Sequence, residues 1–548
     1  MIGRVFWPRP VRELLEGEDP DYTLLEEREF VRKRDESSME GDIEFWFKHI
    51  VTKEVAYGTL SKAKRLRLHA RFADWLGGYG SGRDDFVPLL AHHYAESVRP
   101  DSVDLAWGDD PVETARLRTH AVQWLQRAAE LAVGRYDIDG TLALLHQAIE
   151  LEQSKAVKAE LWKQVGRAHA LRYEGDAFWK ALDQAIGLSD DNEVTAELYA
   201  ELSFLTTTRY GMWLRKPDLS LVDGWIDRAL ELAGPQSSAR AKALIARVFW
   251  HETDARSAGD AAQAIEIAKG LDDIQIRSFA LSAALYAALA AGDLGTSNEY
   301  AEQRIRLLPN ISDADHRHDI YKSAMEPAMA LGHVDEVARL ELLVGESTAE
   351  LSPHHRVHGV GFSVMACEFS GRWEAIRDLG SRIEEAVRAN EATPCMLNQR
   401  TLLAAALANA VVGDFDEAAR LERKANAIGM EGYEMWFGPV RAAIAAERGD
   451  QAEVERLLPT FPREKYGFGD AVSLALRLTA LTTVGASDLV EAEAPPLIKP
   501  DTYLEPFALR ALGHVRGDTE LVLRAVDLFQ EMGLDWHAAR TRALVPTT

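Results

Sequence analysis

The sequence predicts an all-helical protein built from repeated helical hairpins, and three observations carry that prediction. Ala and Leu, both strong helix formers, dominate its apolar positions. A short turn mark, Gly followed by Asp, His or Arg, returns after Ala/Leu-rich stretches at Gly134, Gly175, Gly259, Gly292, Gly332, Gly371, Gly413, Gly449 and Gly517. Strand-like patterns are nearly absent outside one short segment near the N-terminus. The chain has 548 residues, far more than one compact domain needs. The marks lie 33 to 42 residues apart, with two longer steps of 84 and 68. Such a period means stacked supersecondary units. Each long step holds a candidate for the missing mark, Tyr210-Gly211 in one and Gly485 in the other.

The physics of one unit is legible. Residues Phe279 to Ala291 put small side chains on nearly every face, so this helix can lie close to two neighbours. Gly292-Asp293 ends it, since Gly tolerates the left-handed conformation of a helix C-terminus. A second helix is expected to run to Leu308, where Pro309 stops it. Such a pair buries its apolar stripe only when the next pair stacks on it.

These residues resemble tetratricopeptide units, which carry a turn Gly, Ala five residues later, Ala twelve later and often Pro seventeen later. Gly413, Ala418 and Ala425 fall on those offsets; Gly259 with Ala264, and Gly292 with Pro309, match in part. Val337, Ile376 and Val454 replace the first Ala elsewhere, and the unit near Gly134 carries two extra residues before Ala148. The resemblance is to a divergent array over residues 115–548, about eleven units at a typical repeat length.

Residues 1–95 do not follow the repeat, and 96–114 read as a linker. Helical patterns over Pro10 to Glu16 and Tyr22 to Lys33 come first. A strand over Ile43 to Phe47 follows, then a helical hairpin ending at Gly77-Gly78. This order is compatible with a small winged-helix-like unit. Gly77 to Gly82 reads as a flexible linker, because no strand precedes its glycines as a phosphate-binding turn requires.

Phe47 to Leu76 together with Leu89 to Ser97 resembles a region of large bacterial signal-transduction ATPases of the AAA or STAND type. Some of those are fused to nucleotide cyclase domains, others to transcription-factor domains. The opening MIGRVFW is similar to the junction after their ATPase module, and Val522 to Val545 to the closing unit of their repeat tails. The resemblance implies a winged-helix-like unit leading into a tetratricopeptide-like tail. This chain departs from the family in one decisive respect. It has no GxxxxGK[ST] loop and no Gly-Lys dipeptide at all. Without backbone amides and a lysine around the phosphates, ATP hydrolysis by this chain alone is not expected. No paired-carboxylate cyclase signature is evident either, and no cofactor is expected.

Charge and composition narrow the function further. The net charge of −25 repels nucleic acid on average. The basic run Lys62, Lys64, Arg65, Arg67 and Arg71 reads as the solvated face of a helix whose other face carries Leu66, Phe72 and Trp75. No apolar run long enough to cross a bilayer is apparent, and the N-terminus lacks the apolar core of a secretory signal. Cys367 and Cys395 form no CxxC pair. A cytoplasmic location is expected, with no membrane or nucleic-acid partner.

Few side chains suggest chemistry. In the resembled ATPases a winged-helix histidine can contact bound nucleotide, which makes His49 a hypothetical nucleotide-state sensor; packing at a strand end is the plainer role. His354 and His358 are one helical turn apart and could share a metal ion, but no third ligand stands at useful spacing in sequence. They and His355 therefore read as ordinary residues near a helix start, no metal is expected, and His92-His93 read as helix packing. Trp250, Tyr433, Trp436 and Phe437 sit on first helices of repeats, which line the concave face of tetratricopeptide arrays. They are the candidates for anchoring a partner, against core packing as the alternative.

The expected function is a non-catalytic sensor or scaffold that binds a protein or small effector on a helical-repeat surface and regulates an ATPase or cyclase module. Two alternatives stand: a fragment of an ATP-binding adenylate/guanylate cyclase-type regulator, and a DNA-binding transcription regulator. The charge, and the lack of a helix-turn-helix after Val545, weigh against the second.

Overall fold

The computed structural model describes residues 2–80, 82–209, 211–251, 253–349, 351–461 and 471–545. Tyr210, proposed as part of a turn mark, Ser81 of the glycine-rich stretch and Met1 lie outside them. The chain divides into two compact units, one of Met1–Leu171 with Ala177–Ser189, the other of Arg172–Asp176 with Asp190–Thr548.

The first unit opens with β1 (Val5–Phe6), α1 (Pro8–Leu14), α2 (Tyr22–Glu27), β2 (Val31–Lys33) and β3 (Phe45–Phe47). The strands form an antiparallel sheet of order β1-β3-β2, with Phe6 opposite Phe45 and Val31 opposite Phe47. The helix expected over Tyr22 to Lys33 therefore stops at Glu27. Glu29 turns the chain with a left-handed backbone (φ 60°), and the β-branched Val31 begins a strand instead. Then come α3 (Ile50–Gly58) and α4 (Lys62–Tyr79). Gly77 and Gly78 are helical rather than a linker, because Trp75 stacks on Tyr79 one turn later with ring centres 5.4 Å apart. The basic run on α4 holds structure: Arg65 donates to the carbonyls of Gly58 and Leu60, Arg67 to Ala106, and Arg71 to Glu13.

The remainder of this unit is α5 (Val87–Ser97), α6 (Val103–Trp107), α7 (Pro111–Val133), α8 (Ile138–Leu151), α9 (Lys155–Leu171) and α10 (Gly175–Leu188), the last belonging to it from Ala177 onward. Phe72, Leu76, Leu90 and Leu117 are buried completely at its centre.

The second unit is a run of helical hairpins. They pair α11 (Asn192–Thr208) with α12 (Leu219–Leu232), α13 (Ser238–Trp250) with α14 (Ser257–Lys269), and α15 (Ile274–Ala291) with α16 (Leu294–Ile305). Next come α17 (Ala314–Ala330) with α18 (Val334–Thr348), and α19 (Pro353–Ser370) with a second limb broken into α20 (Trp373–Asp378) and α21 (Gly380–Ala389). Then follow α22 (Met396–Val411) with α23 (Phe415–Asn426), α24 (Glu434–Glu447) with α25 (Gln451–Leu457), and α26 (Ala471–Thr483) with α27 (Ser487–Glu493). The last hairpin is α28 (Leu504–Arg516) with α29 (Thr519–Glu531), and α30 (Asp535–Arg542) closes the unit. The protein is an all-α, tetratricopeptide-like helical-repeat solenoid in fold.

The recurring turn mark has a complete mechanism here. Gly292, Gly413, Gly449 and Gly517 adopt left-handed φ of 65–86°, which ends one helix. The next residue, Asp293, Asp414, Asp450 or Asp518, caps the following helix by accepting from backbone N–H groups two or three residues on, at 3.0–3.2 Å. One dipeptide thus satisfies orphan groups on both helices. Gly485, proposed for the second long step, is left-handed too (φ 68°). At Gly134 the left-handed residue is Tyr136 (φ 57°) with Asp137 as cap, so the two extra residues seen before Ala148 are a two-residue shift of the turn. Gly259 ends no helix: it lies inside α14, after α13 has already stopped at Trp250.

α15 corrects the membrane reading. Over Ile274–Ala291 it is long and apolar enough, by length and composition, to cross a bilayer. Its small side chains instead serve contact with α13, α14, α16 and α17, and ten of its residues are buried, the state of a core helix.

The first helices of the hairpins pack in one row, α11-α13-α15-α17-α19-α22-α24-α26-α28. The row curls until α26 meets α17 and α19. Tyr503 ties the curl by donating its N–H to Ala330 O (3.0 Å) and its hydroxyl to Phe369 O (2.9 Å). A second tie joins 214–216 to 431: Lys216 N–H donates to Glu431 O, and Glu431 N–H to Leu214 O. Consequently α22, in mid-row, is buried on every face from Leu397 to Ala410.

Candidate functional site

A row of first helices that curls on itself must bury whatever polar groups its inner faces carry, and in the second unit these are charged. Arg400 on α22 makes a bidentate pair with Glu368 on α19 (2.8 and 3.1 Å), both nearly without solvent contact. Arg477 on α26 does the same with Glu493 on α27 (2.7 Å twice) and also donates to the carbonyls of Leu458 and Phe461. Asp319 on α17 accepts from the fully buried Arg304 of the second helix α16 at 2.9 Å. Each of these guanidinium groups has the carboxylate that burial demands.

Arg510 on α28 does not. It is 3 % exposed, its Nη2 donates to Thr479 Oγ1 at 2.6 Å, and its guanidinium lies over Phe507 and Phe529 at 5.0 and 5.8 Å. Among the described residues no carboxylate reaches it. Glu447, which lines the same cavity, is engaged by Arg540 at 2.5 Å. Burial, then Arg540, lowers the Arg510 pKa to about 10. Arg510, Arg540, Thr479, Glu368 and Trp536 line a cavity of about 30 Å³, room for one or two waters. A more open cleft of about 320 Å³ lies between α18, α19 and α30, where Arg372 is paired with Glu341.

The aromatic candidates lie elsewhere in the same unit and do not converge. Tyr433 and Phe437 are fully buried, and the Tyr433 hydroxyl donates to Trp213 O at 2.8 Å; neither offers a surface to a partner in this arrangement. Trp250 is 8 % exposed, with the Lys216 ammonium 4.8 Å from its ring centre. Trp436 alone of the four keeps appreciable exposed surface. His49, in the first unit, is exposed at the start of α3 and caps nothing with its side chain. Arg510 was missed in sequence because LEPFALRALGHVR reads as an ordinary amphipathic helix. Only the curl of the row removes water from it.

The histidines form two groups that spacing alone did not assemble. In the first unit His69 on α4 and His93 on α5 are buried with Nδ1 atoms 2.8 Å apart. In the second, His354 and His358 on α19 meet Cys395, the residue before α22, with His318 on α17 alongside. The third donor atom that the sequence did not place near His354 and His358 comes from a cysteine of the next hairpin. Burial pushes the His318 pKa down to about 4, that of His354 to about 3, and the Cys395 thiol up to about 12. His355, between them, is engaged: Ser352 Oγ lies 2.7 Å from its Nδ1, and its Nε2–H donates to Asp315 at 3.1 Å.

No family model matches this sequence, and no curated protein matches it. Solved structures share its chain trace distantly. A Rap protein complexed with competence and sporulation factor is 11% identical with a TM-score of 0.43, over 70% of this chain and 99% of that one. The Cut9-Hcn1 hetero-tetramer of the APC/C is 12% identical with a TM-score of 0.43, over 90% of this chain and 88% of that one. A signal transduction ATPase with numerous domains (STAND) that has a tetratricopeptide repeat sensor, from Pyrococcus horikoshii, is 11% identical with a TM-score of 0.40. It is matched over 77% of this chain and 60% of its own length. Likenesses at this level carry no function across.

Proposed function

We propose that the chain is a non-catalytic sensor or scaffold whose repeat array binds an acidic partner, a peptide or small carboxylate, on the inner faces of its first helices. The single observation behind this reading is Arg510, a buried guanidinium that, among the described residues, forms no ion pair, beside a small cavity. Burial of an unpaired cation is unfavourable, and an incoming carboxylate relieves it with charge-assisted hydrogen bonds. The cavity holds little more than water, so binding requires the ties at Tyr503 or Trp536 to loosen, and that coupling is what a sensor needs.

Titrating the full chain with a pool of acidic hexapeptides, and with the same pool carrying Asn and Gln for Asp and Glu and amidated C-termini, tests this by calorimetry. Heat from the acidic pool alone, lost in Arg510→Gln, is expected. Equal responses to both pools, or a response that Arg510→Gln leaves intact, would sink it.

The finer reading keeps the resemblance to signal-transduction ATPases. In it residues 1–95 form a winged-helix-like head, 96–114 a linker, and the array from 115 onward restrains an ATPase or cyclase module in the cytoplasm. Exposed His49 would then report nucleotide state, and Trp436 would be the aromatic available to a partner. Finding an in-frame phosphate loop in the DNA upstream of Met1 would support this version. With a matched ATPase partner, a nucleotide response unchanged in His49→Ala removes the role of that histidine.

A further inference from the structure

We infer that His354, His358 and Cys395 form a binding site for a divalent transition-metal ion of the zinc class, with His318 the nearest candidate for a fourth ligand. The donor atoms of the first three all lie within 4.8 Å of one another. His358 Nε2 and Cys395 Sγ are 3.5 Å apart. A tetrahedral ion with Zn–N and Zn–S bonds of about 2.1 and 2.3 Å places its nitrogen and sulfur about 3.6 Å apart. The pair is therefore already spaced as two ligands of one ion.

The second observation is independent of spacing. His354 is 5 % exposed and His318 3 % exposed, yet among the described residues neither ring nitrogen of either one has a hydrogen-bond partner. Four buried imidazole nitrogens left idle in one small region is a departure from the rule that buried polar atoms are satisfied. A metal ion would use one nitrogen on each ring. The rings stand close enough to share it: His354 and His358 centres are 4.4 Å apart, His318 and His358 5.6 Å.

The elements also suit a ligand set. His354 and His358 occupy one face of α19 a turn apart, and Cys395 stands at the entry to α22, which packs on α19. Two histidines and a thiolate match a borderline-soft ion and poorly match calcium or magnesium. Binding converts the Cys395 thiol to thiolate with release of its proton to solvent, and the imidazoles are held neutral by burial, the form that ligates. The reading stands whether or not the inner wall binds an acidic partner.

Cobalt(II) added to the chelator-treated full chain tests the site. A tetrahedral visible spectrum with a near-ultraviolet thiolate-to-cobalt band, saturating at about one equivalent and displaced by zinc, is expected. The chain has two cysteines, so Cys367→Ser leaves Cys395 as the sole thiol, and the band must persist there. Cys395→Ser should abolish it, and His354→Leu should weaken zinc binding at least about tenfold, the scale on which lost metal-site partners act. If Cys395→Ser fails to fold, native alkylation of the wild type with and without zinc decides: zinc must protect Cys395. Stoichiometric zinc without a thiolate band, or alkylation of Cys395 indifferent to zinc, overturns the inference.

Discussion

The two histidine groups have the same ingredients and opposite states. In the first unit every nitrogen of the buried pair is used. His93 Nε2 faces the Ile2 carbonyl at 3.3 Å, and a carbonyl only accepts, so that nitrogen carries the proton. Burial holds both rings neutral, with pKa values lowered to about 2 for His69 and about 3 for His93. His93 Nδ1 must then accept from His69 Nδ1–H at 2.8 Å, which leaves His69 Nε2 to accept from the Tyr57 hydroxyl at 3.0 Å. The result is a one-directional chain, Tyr57 to His69 to His93 to Ile2, with each tautomer fixed. In the second unit His318 and His354 are as deeply buried but, among the described residues, have no such chain. Buried histidines are therefore diagnosed by where their nitrogens point, since burial and proximity are alike in both groups.

The largest effect expected from breaking this contrast is at His93. His93→Ala removes the acceptor of His69 Nδ1–H and opens a cavity beside Phe72, whose ring centre is 4.6 Å from that of His93. Urea unfolding should register a loss of about 2–4 kcal/mol. A loss below about 0.5 kcal/mol, the scale of an inconsequential surface change, would mean the chain of hydrogen bonds contributes nothing.

Acid sharpens the contrast next. In both groups the folded pKa lies below the ordinary value of 6.5. The unfolded state therefore takes up protons first, and the stability held above pH 6.5 is lost as pH falls toward the folded values. Each such histidine contributes a slope of up to about 1.4 kcal/mol per pH unit between its two pKa values. His354→Leu should reduce the slope of stability against pH between 6.5 and 4 by about one histidine's share. An unchanged slope would show that His354 protonates freely in the folded protein.

A smaller effect follows from the idle nitrogens. In chelator, His354→Leu deletes no hydrogen bond, so its stability at neutral pH should stay within about 1 kcal/mol of wild type. This is the reverse of His93→Ala, although the two side chains are comparably buried. A cost above about 3 kcal/mol, the range of broken buried networks, would mean that His354 has a partner after all.

Much of the fold was legible in sequence because its information is local. Gly292-Asp293 and its kin specify the end of one helix and the cap of the next within two residues, and Phe279 to Ala291 announces close packing by its small side chains. What was illegible depends on the curl of the row. Tyr433 and Phe437 look like surface anchors until the segment around Trp213 covers them, and Arg510 looks solvated until α28 is enclosed. Half of the histidine site was visible as the spacing of His354 and His358. Cys395 was not, since it lies 37 residues beyond His358 at the start of another hairpin. The reading of α2 failed for a related reason: Val31 to Lys33 become a strand only because β3 is there to pair with them.

The smallest effect belongs to the third member of the first group. His92 sits beside His69 and His93, with ring centres 5.9 and 5.0 Å away, and counts with them as a possible ligand trio. It is exposed, however, and the nitrogens it would need from its two neighbours are committed to each other, to Tyr57 and to Ile2. His92→Ala should therefore change stability by less than about 0.5 kcal/mol and leave cobalt uptake at the cysteine site unaltered. A cobalt spectrum that loses a second, purely nitrogen-ligated component in this variant would show that the first group also takes metal, and that hydrogen-bonded tautomers do not protect a histidine pair from it.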